Sequence, residues 1–138
     1  MRLVVDASVA VSWCAVQQAD ASTWATAAAV AERGGLVPPH FFLEVAAALR
    51  SLEQRDRLDA ERLERFLSEI LVFPFLVDDA AGRDRLPDTL RLSRRHRLTM
   101  YDAVYLELTL RAGAPLATRD QPLAAAARAA GAQLFVPP

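Results

Sequence analysis

Leu3-Val4-Val5-Asp6-Ala7-Ser8 opens the chain, and its reading decides the fold. Three consecutive apolar residues fit a short strand buried on both faces, the kind found in a parallel sheet. The run stops at an acid, so Asp6 falls at the carboxyl end of that strand, and a helix follows toward Val16. The same alternation continues outward. Residues 20–33 read as a helix with Asp20 or Ser22 as N-cap and Gly34-Gly35 as its stop. Leu36-Val37 is a second strand before the break at Pro38-Pro39. Residues 40–55 give a strongly apolar helix. Residues 59–71 give an amphipathic one, with Leu63, Phe66, Leu67 and Ile70 at helical spacing. Residues 73–77 form a third strand candidate, weakened by Pro74. Residues 80–96 form another helix, which Pro87 interrupts in its first half. A helix over 99–112 closed by Gly113, a strand over 116–118, an Ala-rich helix over 121–130 closed by Gly131 and a fifth strand over 133–136 complete the chain. Strands alternating with helices predict an α/β fold, a parallel sheet covered by helices on both faces.

At 138 residues the chain suits a single domain over 1–138. Hydrophobic residues at 53% and charged residues at 24% exclude a disordered tail. One cysteine, Cys14, excludes an intramolecular disulfide and a cysteine-based zinc cluster. The net charge of -1 lacks the basic excess of many nucleic-acid binders, and every basic residue is Arg. Asp6 interrupts the apolar N-terminal run, which argues against an export signal. No stretch approaches the ~18 apolar residues of a membrane span. A soluble cytoplasmic protein is expected.

Ligands of open parallel sheets bind beyond the carboxyl ends of the strands, so the acids there matter most. Asp6 follows the first strand and Asp120 the fourth, and each also fits a helix N-cap. Glu44 shares its helix face with His40, Phe41, Ala47 and Ala48. On that mostly apolar face a carboxylate needs a salt bridge to an Arg, a proton or a metal. Asp102 lies three residues after Thr99, the spacing of a capping box, unless its carboxylate faces the sheet edge. Taken together, four carboxylates without Cys suit a hard cation such as Mg²⁺ or Mn²⁺. Left unfilled, such a cluster repels itself and raises some of its own carboxyl pKa values.

The segments Val-Val-Asp-Ala-Ser at the start, Glu44 in its apolar helix, Tyr-Asp-Ala-Val-Tyr-Leu around Asp102 and Ala-Thr-Arg-Asp near the end occur in an order and spacing that resembles the PIN-domain nucleases. Within these, the chain is similar to the VapC-type toxins of bacterial toxin–antitoxin pairs. The resemblance covers nearly the whole chain. It implies a three-layer α/β/α fold with a central, mostly parallel five-stranded sheet. It implies that Asp6, Glu44, Asp102 and Asp120 line one catalytic pocket holding Mg²⁺ or Mn²⁺, with Asp6 and Asp102 as direct ligands and Ser8 and Thr118 as supporting hydroxyls. It further implies a ribonuclease inhibited by a cognate VapB-like antitoxin, and a homodimer. Some relatives carry a further acid shortly after the fourth, where this chain has Gln121 and Pro122.

RNA approaching four carboxylates needs compensating charge, and Arg94, Arg95, Arg97 and Arg119 are the candidates beside Asp102 and Asp120. His40 and His96, each without a second histidine nearby in sequence, receive no catalytic role. The stretch from Val16 to Ala31, with Trp24 inside it and Trp13 just before, is a candidate groove for an antitoxin segment. Two rivals remain. One is a catalytically inactive PIN-like protein-binding module. The other is a Mg²⁺-dependent phosphatase, disfavoured because Ser8 stands two residues after Asp6, where a second acid is usual.

Overall fold

In the computed structural model, which describes residues 1–15, 20–80 and 83–137, the opening apolar run is strand β1 (Leu3–Val5), completely buried. It pairs in parallel with β2 (Gly35–Val37) on one side and β4 (Leu116–Ala117) on the other, and β2 pairs in parallel with β3 (Phe75–Val77). The strand order is β3-β2-β1-β4. Helices flank this sheet, as the parallel pattern requires, because each parallel connection must cross over a face.

The helices are α1 (Ala7–Cys14), α2 (Ala21–Arg33), α3 (Phe41–Gln54), α4 (Ala60–Ile70), α5 (Leu86–His96), α6 (Met100–Ala112) and α7 (Gln121–Ala129). Their main contacts fall into two groups, α1 with α2, α3 and α4, and α6 with α5 and α7. Local chemistry sets most boundaries. Asp20 and Thr23 close a reciprocal capping box at the start of α2, Asp59 caps α4, and Gly113 ends α6 in a left-handed conformation.

Gly35 is needed for a close approach. A Cβ there would lie 2.5 Å from the Phe75 ring, on the residue it faces in β3. That ring packs 4.9 Å from Phe41 and 6.2 Å from Trp13, so it has little room to withdraw.

Three expectations are corrected. The sheet has four strands among the described residues, because the segment over 133–136 makes only a bridge between Leu134 and Leu116. Two backbone bonds, Leu116 N–H to Gln133 and Phe135 N–H to Leu116, are all it forms with β4, and Pro137 has no N–H with which to extend the ladder. The expected helix over 80–96 is instead a 3-10 turn over Arg83–Arg85 and then α5, with residues 81–82 outside the described residues. Pro87 does not interrupt it. It sits in the first turn of α5, where a missing N–H costs nothing. The third strand begins at Phe75, just past Pro74 rather than through it.

Candidate active site

From β1 the chain proceeds to β2 and β3 on one side and returns to β4 on the other. The topological switch point therefore lies between β1 and β4, where open α/β sheets open a crevice. The register Val5 with Ala117 brings Asp6 and Thr118, the residues just past each strand, side by side. Thr118 Oγ1 donates to Asp6 Oδ2 at 2.5 Å, and Ser8 Oγ donates to Asp6 Oδ1 at 2.5 Å. The same hydroxyls accept backbone N–H groups of the next loop, Thr118 Oγ1 from Asp120 and Ser8 Oγ from Arg119, each at 3.0 Å. Asp6 thus ties the end of β1 to the end of β4 while its Oδ1 also caps α1 at Val9.

Around Asp6 opens a cleft of about 320 Å³ lined by Asp6, Ser8, Glu44, Asp102, Tyr105 and Asp120, with Ala7, Val11 and Ala48 as its apolar wall. All four acids singled out in the sequence therefore meet in one place. Asp120 reaches it while accepting the Leu123 N–H as the N-cap of α7. Thr99, not Asp102, caps α6, which leaves the Asp102 carboxylate turned to the cleft. Glu44 comes from the first turn of α3. Its partners are not arginines. Tyr105 donates its phenol O–H at 2.7 Å, and His40 Nε2 lies 3.1 Å away, at ion-pair distance but off the line of a hydrogen bond.

The electrostatics separate the acids. Burial at 4% exposure raises the Asp6 carboxyl to about 6, against the pull of its three hydrogen bonds, and the Asp120 charge adds to the rise. Asp102 is also raised, first by burial and then by the charges of Asp120 and Glu44. Glu44 goes the other way. Burial works to raise it, but the contacts from His40 and Tyr105 outweigh that and hold it below its ordinary value. Tyr105, buried against that carboxylate, is pushed far above its usual range and stays a hydrogen-bond donor.

This all-oxygen donor set suits a hard divalent cation. Among the described residues no three acidic, His or Cys side chains already stand in a metal-holding arrangement. Both Asp6 oxygens accept hydroxyl hydrogen bonds and keep lone pairs for a further ligand.

The arginines are dispersed. Arg119, next to Asp120, lies 3.5 Å from Asp20 and donates to Thr23 Oγ1 at 3.3 Å, tying the cleft's rim to the start of α2. Arg95 lines a separate hollow with Arg85, Arg91, Glu107 and Arg111, on the α6 face away from Asp102 and Tyr105. Arg94 and Arg97 are exposed at the end of α5. Glu44 has two partners to which the sequence assigns no role, Tyr105, which lines the cleft, and His40, which does not. His40 is four residues before Glu44 and Tyr105 three after Asp102, so helical spacing carried the signal. Their meeting across α3 and α6 did not show in the sequence. Of the suggested partner groove, residues 16–19 lie outside the described residues. Trp24 is 56% exposed on α2, while Trp13 packs 5.3 Å from Phe73.

A family model for the PIN domain matches residues 3–129. Two curated relatives named Ribonuclease VapC1, from the CDC 1551 / Oshkosh and ATCC 25618 / H37Rv strains of Mycobacterium tuberculosis, are each 35% identical over 94 residues, 64% of this chain and 65% of theirs. The match thus spans just under two thirds of the curated relatives' length. The crystal structure of PAE2754 from Pyrobaculum aerophilum superposes with a TM-score of 0.70 at 25% identity, over 91% of this chain and 86% of that one.

Proposed function

The chain belongs to the PIN-domain family, and from that premise we propose that it is a divalent-metal-dependent ribonuclease, the toxin of a toxin–antitoxin pair neutralised by a cognate VapB-like antitoxin. The observation that carries the reading is the convergence of Asp6, Glu44, Asp102 and Asp120 in one cleft at the switch point of the sheet. The relatives named as ribonucleases support the substrate class. The antitoxin and a homodimeric assembly follow from the same likeness.

Asp6 and Asp102 would hold Mg²⁺ or Mn²⁺, with Asp120 close enough to share the ion's charge. A cation bound there supplies a lowered water pKa and stabilises charge at the phosphate. The chain's own groups do the rest. Ser8 and Thr118 fix the Asp6 carboxylate at the sheet edge. Glu44, held below its ordinary value by Tyr105 and His40, would bind the attacking water or accept its proton.

Single-stranded RNA incubated with the purified chain in Mg²⁺ or Mn²⁺ tests the reading. Cleavage should stop in EDTA and fall at least about a hundredfold in Asp102→Asn and Glu44→Gln, the scale of losing one aligned charge-stabilising group. Hydrolysis of a small phosphomonoester with RNA left intact would overturn it. So would RNA cleavage that survives both substitutions.

A further inference from the structure

On α6, Tyr101 and Tyr105 stand one turn apart on the same face. Tyr105 lines the acidic cleft and is 1% exposed, whereas Tyr101 is 64% exposed. The His40 ring lies against both, 5.2 Å from Tyr105 and 5.7 Å from Tyr101. Three rings therefore run as a ladder from the Glu44 carboxylate, held by the Tyr105 hydroxyl, outward to solvent beside Asp102. The inner rungs are accounted for by packing and by the bond to Glu44. The outer one is not, because a tyrosine left mostly in water contributes little to a core.

Its position matches one ligand chemistry. A phosphodiester lying in the cleft carries its neighbouring nucleoside to the rim, and an unpaired base stacks on an aromatic face whatever its identity. Tyr101 is in the first turn of α6, next in sequence to Asp102, so its ring stands at the edge of the cleft that Asp102 lines.

We infer that Tyr101, backed by His40, is a base-stacking subsite for an unpaired nucleotide next to the phosphate held in the acidic cleft. The inference rests on the ribonuclease reading and deepens it. A base already stacked inside a duplex cannot use the ring, so this subsite makes the cleft prefer single strands.

The test uses Tyr101→Ala, Tyr101→Phe and Tyr101→Trp in the full chain. Two readouts are taken, steady-state cleavage of a short single-stranded RNA, and fluorescence of the same RNA carrying one 2-aminopurine, with Ca²⁺ in place of Mg²⁺. Tyr101→Ala should raise KM about tenfold, the low end of what one stacked base is worth, while kcat changes less than about threefold. It should also lose the quenching of 2-aminopurine that the parent chain gives. Tyr101→Phe and Tyr101→Trp should restore both, which a purely structural role of the hydroxyl would not. Quenching that depends on Tyr101 in a chain that cleaves no RNA would keep the subsite and remove the ribonuclease reading. A parent chain that cleaves RNA while Tyr101→Ala keeps its KM and its quenching would overturn the subsite, as would the absence of quenching by the parent chain.

Discussion

Asp6 concentrates three roles in one side chain. It caps α1, joins β1 to β4 through Thr118, and contributes the most buried charge of the cleft. Its ionisation is consequently costly in the metal-free protein. The folded carboxyl titrates at about 6, above the unfolded value of 3.8, so the folded state binds the extra proton between those values. Stability from this group is therefore complete below about pH 4 and is lost as pH rises through 6, by up to about 3 kcal/mol. Urea unfolding at pH 4.5 and pH 7.5 measures this. The metal-free parent chain should lose stability over that interval relative to Asp6→Asn, which cannot ionise; parallel profiles would refute the shift. At this scale three of the acids are legible because each stands at a strand end or a helix start, and Glu44 because a carboxylate is out of place on a mostly apolar helix face. Helix capping and site geometry also proved compatible, since Asp6 and Asp120 do both. In the grip on Glu44, His40 stands at helical spacing at the start of the same helix and is legible as a neighbour, whereas Tyr105 reaches over from α6 and is brought there only by the fold.

At the scale of elements, apolar runs and caps marked where strands and helices lie, and the misreadings have common causes. In the sequence Pro87 has the look of a break, but a proline serves equally in a helix's first turn, and only the position of the preceding 3-10 turn decides. The segment around Leu134 has the apolar pattern of a strand, yet a strand requires a continued ladder, which the pattern does not encode. The Gly34-Gly35 pair predicts a helix stop, but only Gly34, with φ of 83°, is the cap, and Gly35 begins β2 under the Phe75 ring. Gly35→Ala should therefore cost roughly 1–3 kcal/mol, the range of overpacking a filled core. Urea unfolding reads it out. A loss much below that range would mean that the Trp13, Phe41 and Phe75 rings withdraw without resistance.

Across the whole molecule, 16 basic and 17 acidic residues leave a net charge of -1, so no overall field draws RNA to the cleft. Under the proposed function, RNA binding would depend on local features, a cation in the cleft and the aromatic step at Tyr101. That makes the central claim one about the cleft's own charge, namely that the four carboxylates the fold brings to it bind a divalent cation. The melting temperature of the parent chain and of Asp102→Asn, each with and without Mn²⁺ at neutral pH, tests it most directly. Mn²⁺ at a hundredfold excess over its dissociation constant should stabilise the parent by about 2.7 kcal/mol and raise its melting temperature accordingly. Asp102→Asn should melt no lower than the parent without metal, because it removes a repelled charge, and should respond weakly to Mn²⁺. A melting temperature indifferent to Mn²⁺, with the variant simply less stable, would contradict the account and leave the four acids as caps and hydrogen-bond partners.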